Sequence, residues 1–379
     1  MRFADVIGLE KQKAMLIAGI NANRIPHAQF FEGPRGSGNL VMALAYIQYI
    51  HCSERSDADS CGKCVNCHQI SKLIYPDLRL SFPYFGKNEI AFDFYKDFTE
   101  AYLKNPYMDF TYWSNWISSD GKKNLNIPVL ELKQIAKHMN LQPFLSGYKV
   151  QIIWMPEYLG KESNMLLKLL EEPPENSLFI FVGENSENVL TTIKSRTQIV
   201  RIPPISANSM LNHLKVNRNV DEDLAKRISL MSGGDYLLVQ ELLDNEGNEY
   251  LEPFINWLRL VIAIKRIEMV SFTEDLVKKG KVYQRGFLHY ALEIMRATLL
   301  WKQANVEPGF SEKETVFIQK LAKSIDLEVV ESALKLISDS LYSIDRNVNQ
   351  KLNFNTLTHS MMASFALKIK KEQATNSAK

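Results

Sequence analysis

Gly33-Pro34-Arg35-Gly36-Ser37-Gly38-Asn39-Leu40 lies between a short apolar run, Ala28-Gln29-Phe30-Phe31-Glu32, and a helical pattern over 39–51. Strand, glycine-rich loop and helix in that order is the setting of a phosphate-binding loop, with template G-x-x-x-x-G-K-[ST]. The glycines shape such a loop. Its lysine holds the β- and γ-phosphates, and its hydroxyl holds Mg²⁺. Gly33 and Gly38 fit the template and Gly36 adds a third glycine, but Asn39 stands at the lysine position and Leu40 at the hydroxyl position. A neutral amide and an isobutyl group can do neither job. The stretch implies the frame of a nucleotidase without its working site, so no bound ATP is expected. Taken alone, a chance glycine-rich turn would read the same way.

A second part of the site is missing too. A phosphate-binding-loop enzyme needs an acidic residue at the end of a nearby strand to hold Mg²⁺. The best candidate, Val150-Gln151-Ile152-Ile153, runs into Trp154-Met155-Pro156-Glu157, with Trp and Met at the acidic positions and Glu157 too far along to serve. Working outward, 148–154, 177–182 and part of 76–83 read as further strands. Stretches 6–23, 127–141 and 164–172 read as helices, the last stopped by Pro173-Pro174 because proline cannot continue a helix. This alternation predicts a parallel α/β sheet up to about Pro204. Beyond it every pattern is helical: 222–231, 236–243, 251–269, 287–301, 312–324 and 327–345, with a linker at 244–249 and a frayed polar tail from Glu372. Residues 84–126 are dense in aromatics mixed with polar residues. They read as a partly ordered surface excursion, with a partner-binding patch as the alternative.

At 379 residues the chain has room for two or three domains of roughly 100–200 residues. A net charge of +2 excludes a global affinity for nucleic acid or an anionic membrane. No apolar run approaches the ~20 residues of a membrane span, and the N-terminus has no signal-peptide core, so a cytoplasmic protein is expected. Its four cysteines, Cys52, Cys61, Cys64 and Cys67, fall in the spacing C-x8-C-x2-C-x2-C. C-x2-C turns bring paired sulfurs to one point, as tetrahedral Zn²⁺ requires, whereas disulfides are rare in the cytosol. Four sulfur ligands leave no open position for water, so the zinc would be structural. An iron–sulfur cluster is the rival, though such clusters use longer or differently spaced runs. His51 and His68 flank the group and could replace a cysteine, but a core or surface role suits them better. A zinc-dependent nucleic-acid binding module is a further alternative. It lacks a basic stripe, since Arg55 and Lys63 are offset by Glu54, Asp57 and Asp59.

The run Asn164-Met165-Leu166-Leu167-Lys168-Leu169-Leu170-Glu171-Glu172-Pro173-Pro174 resembles the "LLKxLEEPP" signature of the clamp-loader AAA+ family of bacterial DNA polymerase III. Thr192-Ile193-Lys194-Ser195-Arg196-Thr197 is similar to that family's "TIxSRC" motif, with Thr197 in the cysteine position. Phe3-Ala4-Asp5-Val6-Ile7-Gly8, Pro26-His27-Ala28, the cysteine spacing and, more weakly, Arg346-Asn347-Val348-Asn349-Gln350-Lys351-Leu352 resemble other family segments; residues 84–126 have no counterpart and look like an insertion.

The resemblance implies an α/β AAA+ P-loop domain over 1–204, with a zinc module at 51–68 and the insertion at 84–126. A helical lid over 205–247 and a helical collar over 248–379 would follow. It implies a non-hydrolysing subunit that supplies Arg196, beside Ser195, as an arginine finger to a neighbouring subunit's ATP. Its partners would be the other subunits of a hetero-pentameric ring, joined through the collar and AAA+ domains. The sliding clamp and primer–template DNA would be reached through that assembly, with no membrane involved. Gly183 or Glu184, and Asp235 with Tyr236, stand where the family has phosphate sensors, and Arg35 leaves the loop at the wrong point to replace the lysine. An ATP-hydrolysing subunit of the same assembly is the alternative.

Overall fold

In the computed structural model the residues described are all except 87, 119–122, 146, 245–249, 307–309, 346, 347 and 377–379, and the side chains of 161, 345 and 367–376. They form two compact units: residues 1–213 with 234–237, and residues 214–233 with 238–379.

The first unit is built on five parallel strands, β1 (Ala28–Glu32), β2 (Leu78–Ser81), β3 (Lys149–Trp154), β4 (Ser177–Gly183) and β5 (Gln198–Arg201), in the order β2-β3-β4-β1-β5. Helices flank this sheet, giving the parallel α/β architecture that the alternating pattern predicts. β1, which feeds the glycine loop, lies between β4 and β5, with Phe30 opposite both Phe181 and Ile199. β3 and β4 are buried along their whole length, as strands covered on both faces should be. The helix Asn39–His51 is apolar nearly all round and almost wholly buried, which places it inside the domain rather than over it. A hydrophobic cluster, including Phe30, Leu132, Ile135, Ile153, Leu170, Phe179 and Phe181, packs around β1, β3 and β4.

Several features differ from the sequence reading, among them a last helix, Gln350–Asn376, that the reading does not include. The sequence reading has no strand at β5, which is only four residues long and buries only Val200. The helix Ala207–Arg218 was not expected either. The pattern over 251–269 is two helices, Leu251–Ile262 and Arg266–Lys278, separated at Ile264 with φ +55°. There Lys265 N–H donates to Leu260 O (3.1 Å) and Ile264 N–H to Val261 O (3.2 Å). This is a Schellman ending with a β-branched residue in the left-handed position that glycine normally fills.

A further difference is the aromatic stretch 84–126, whose described residues contribute several rings to the core instead of forming a surface excursion. It contains the helices Tyr95–Lys104 and Phe110–Ile117, and Phe98 and Trp113 are completely buried. Phe98 stacks on Phe82 at 4.1 Å between ring centroids and meets Trp154 edge-on at 5.4 Å, and Phe110 stacks on Tyr158 at 4.0 Å. Phe98→Ala is expected to lower unfolding stability by ~3–5 kcal/mol, through lost burial plus the cavity left behind. A urea titration with an unchanged midpoint would show the insertion to be peripheral.

The second unit is helical. The long helix Gly280–Ala304, which buries Phe287, Ala291 and Ile294, packs against helix Leu327–Asp345, which buries Val330 and Ile337, and against helix Glu312–Ser324, which buries Ile318. Two buried polar pairs tie helices of this unit together: Trp257 Nε1–H to Thr358 Oγ1 (3.1 Å) and Tyr290 O–H to Glu314 Oε1 (2.8 Å). Most of the linker at 244–249, and Arg346 and Asn347 of the last motif, lie outside the described residues.

Candidate functional site

The glycine loop turns through left-handed Gly36 (φ +66°) and Gly38 (φ +84°). Asn39 closes the loop onto the sheet. Its Nδ2–H donates to Gly33 O (3.2 Å) and Gly183 O (3.0 Å), and its Oδ1 accepts from Leu40 N–H (2.8 Å). The amide at the lysine position is therefore a structural tie, with its donors committed to carbonyls. Leu40, at the hydroxyl position, is core. The Ser37 hydroxyl is fully buried and has no hydrogen-bond partner among the described residues.

Other parts of the chain approach the loop's glycines closely. A Cβ on Gly38 would lie 2.6 Å from the Tyr107 ring, and one on Gly36 would collide with Asp235 Oδ1 and lie 2.7 Å from Tyr236 N. Here glycine is needed for close approach by the chain itself. Tyr236 N–H donates to Gly36 O (3.2 Å), and the Tyr107 and Tyr236 rings sit 4.7 Å apart. Arg35, the remaining cation of the loop, donates from Nε to Asp109 Oδ2 (2.6 Å) and from a terminal nitrogen to Asp235 Oδ2 (2.5 Å).

At the end of β3, Trp154 is completely buried, and Met155 takes a left-handed conformation (φ 54°) that reverses the chain. Glu157, which spacing alone placed too far along, comes back to the end of β4, where Oε1 accepts from Glu184 N–H (2.7 Å) and Asn185 N–H (2.8 Å). Nothing in the sequence marks that reversal, because no glycine or asparagine occupies the turn position. Burial raises the Glu157 carboxyl above the ordinary carboxylate value. Burial, then the nearby Asp109 and Glu157 carboxylates, push Glu184 up to about 8.

Between the unfolded carboxylate value and about pH 8 the folded chain keeps a proton on Glu184 that the unfolded chain has lost, so stability falls as pH rises. Glu184→Gln is expected to flatten that fall, by at most about 1.4 kcal/mol per pH unit. Urea midpoints measured from pH 5 to 8 check this, and an unchanged slope would contradict it.

Arg196 follows the short helix Thr191–Lys194 and precedes β5. Its guanidinium is about one-third exposed. Nε–H donates to Glu171 Oε1 (2.9 Å), a terminal nitrogen also meets Glu171, and another donates to Thr192 O (2.8 Å) and Ser195 Oγ (3.3 Å). The Ser195 hydroxyl donates to Thr192 O (3.1 Å). Glu171 comes from the Leu-Glu-Glu-Pro-Pro run, so the two signature motifs meet in space.

The four cysteines are free thiols whose sulfurs lie within 4.8 Å of one another. Cys61 and Cys67 are 3.9 Å apart and Cys52 and Cys64 4.0 Å, close to the ~3.8 Å edge of a tetrahedron with 2.3 Å zinc–sulfur bonds. Backbone N–H groups of Cys61 and Cys64 point at the sulfurs of Cys52 (3.2 Å) and Cys61 (3.3 Å), an arrangement suited to thiolates. The donor set could hold a metal ion such as zinc. His51 is buried with both ring nitrogens on carbonyls, Ile47 O (2.9 Å) and Tyr148 O (2.8 Å), and His68 is exposed. Neither belongs to the thiol cluster.

The sequence profile described as "DNA polymerase III, delta subunit" matches residues 8–206, more than half of the chain. The chain belongs to this DNA polymerase III delta-subunit family. It is a clamp-loader subunit of that polymerase. DNA polymerase III subunit delta' of Bacillus subtilis is 22% identical over 360 residues, covering 93% of each chain. DNA polymerase III subunit gamma of Buchnera aphidicola (from Acyrthosiphon pisum) is 25% identical over 258 residues, covering 66% of this chain and 60% of that one. Among solved structures, the Bacillus subtilis DNA clamp loader delta protein aligns with a TM-score of 0.32 at 10% identity, over 92% of this chain and 99% of its own. No helix among the described residues is long and apolar enough to cross a membrane.

Proposed function

We propose that the chain is the delta-prime-type member of its assembly: a subunit that does not hydrolyse ATP but acts on a neighbour's ATP through Arg196. The observation that carries this reading is the Asn39 amide, tied to Gly33 and Gly183 at the position where a lysine would hold phosphate. Buried Leu40 and Trp154, and Arg35 held by two carboxylates, support it. Arg196 keeps a partly exposed guanidinium, a group that is always charged and whose planar fork suits phosphate oxygens.

On this reading the chain joins other clamp-loader subunits in a hetero-pentameric ring, through a collar at 248–379 and its AAA+ domain at 1–204, with 205–247 as the lid. It works in the cytoplasm on the sliding clamp and primer–template DNA through that assembly. Cys52, Cys61, Cys64 and Cys67 hold one structural Zn²⁺.

The test is ATP hydrolysis in the reconstituted assembly carrying Arg196→Ala. A rate unchanged from wild type overturns the trans role. Micromolar binding of Mg·ATP by the isolated wild-type chain overturns the claim that its own site is lost.

A further inference from the structure

Neither the glycine loop's loss of chemistry nor the family resemblance accounts for the insertion at 84–126. We infer that it is an internal occupant of the nucleotide cradle: Tyr107 fills the space that a nucleotide would otherwise take, and Asp109 neutralises Arg35, the loop's remaining cation. The inference rests on the reading of the loop given above and adds what fills it.

The geometry is local and mutually dependent. Asn105 O accepts from Met108 N–H (3.0 Å), making a turn that presents Tyr107 and Asp109 on one side. Tyr107 is buried with its ring against Gly38, and its hydroxyl accepts from Ile7 N–H (2.9 Å). Asp109 is buried and divides its carboxylate. Oδ1 accepts from Tyr112 N–H (2.7 Å), capping the helix Phe110–Ile117, and Oδ2 accepts from Arg35 Nε–H (2.6 Å). An anionic oxygen on the loop's own cation imitates what a phosphate would offer.

The insertion is anchored next to the lost acidic position. Phe98 packs on Trp154, Phe110 stacks on Tyr158, and Trp113 Nε1–H donates to Pro83 O (2.6 Å). The replacement of an acidic residue by Trp154 and the presence of the insertion are thus one packing solution. The glycines also have a reason to remain without their lysine. Gly36 and Gly38 admit Asp235 and Tyr107 at distances that a Cβ would forbid.

The experiment uses the full-length chain in four forms: wild type, Asn39→Lys with Leu40→Thr, Tyr107→Ala with Asp109→Asn, and all four substitutions together. Each is titrated calorimetrically with Mg·ATP, with thermal melts and zinc content as checks on folding. Asp109→Asn removes the charge while keeping a good helix cap. The expected result is binding at least tenfold tighter in the quadruple variant than in Asn39→Lys/Leu40→Thr. Equal affinity of those two variants, or no binding by the quadruple variant, overturns the inference. If Tyr107→Ala does not fold, Asp109→Asn in the Asn39→Lys/Leu40→Thr background should still tighten binding at least threefold, and no change overturns it. Micromolar binding by the wild type would instead defeat the reading of the loop as a lost site.

Discussion

Arg196→Lys is expected to slow hydrolysis at the neighbouring ATP site almost as far as Arg196→Ala, by roughly 10³-fold or more. Lysine keeps the charge but loses the planar fork that can meet two phosphate oxygens at once. A loss of this size at one site converts to about 4 kcal/mol of transition-state stabilisation. The Glu171 carboxylate that holds the guanidinium in the isolated chain is half exposed, and an ion pair in such a setting is worth ~0–1 kcal/mol. On the proposed trans role the phosphate contact would therefore outweigh the ion pair: Glu171 would park Arg196 without holding it back from a phosphate. Glu171→Gln should change the rate by no more than about fivefold. Single-turnover hydrolysis is the right measurement, because the other sites of a ring would mask the loss in steady state. Wild-type rates for Arg196→Lys would show that charge alone is used there.

What the sequence makes legible is whatever is decided locally. β1, the loop and the helix Asn39–His51 are readable because each has its own signature, and β3 and β4 because strands buried on both faces are continuous apolar runs. β5 is illegible because it is an edge strand with one buried residue, directly after the Ser-Arg motif. The break at Ile264 and the reversal at Met155 use left-handed conformations without the glycine that usually announces them. The insertion is a different case. Its aromatic density is obvious, but its burial depends on partners such as Phe82, Trp154 and Tyr158, which arrive from elsewhere in the chain. The sequence likewise shows that Asn39 is not a lysine. Only the fold shows that its amide ties β1's loop to Gly183 at the end of β4.

On the proposed zinc site, removing the metal should have the largest effect on stability. About one Zn²⁺ per chain is expected, and Cys64→Ser or exhaustive chelation should destabilise the first unit by several kcal/mol. Metal binding to such a module is folding free energy, with apparent values of about 10–16 kcal/mol in small zinc domains. Part of that must remain local, because a single lost ligand leaves three and the sheet has its own core. The effect should nonetheless spread beyond the module. The Asp59 carboxylate accepts from Phe3 N–H (3.0 Å) and Ala4 N–H (2.8 Å), and the Ser60 hydroxyl accepts from Gln48 (3.0 Å). The Asn66 amide donates to His51 O (2.8 Å), and the Tyr49 hydroxyl donates to Ser56 O (2.8 Å). Gln48, Tyr49 and His51 end the helix that begins at the glycine loop, so the thiol cluster anchors the far end of the element that carries Asn39 and Leu40. A loss of ~4 kcal/mol in a unit of this size corresponds to roughly 8–16 °C in melting temperature. Calorimetry should show the shift in a transition of the first unit, while a transition of the helical unit keeps its place. A metal-free chain that melts with the holo-protein would rule out a stabilising zinc. A visible charge-transfer band with iron in place of zinc would assign the four thiolates to an iron–sulfur cluster instead.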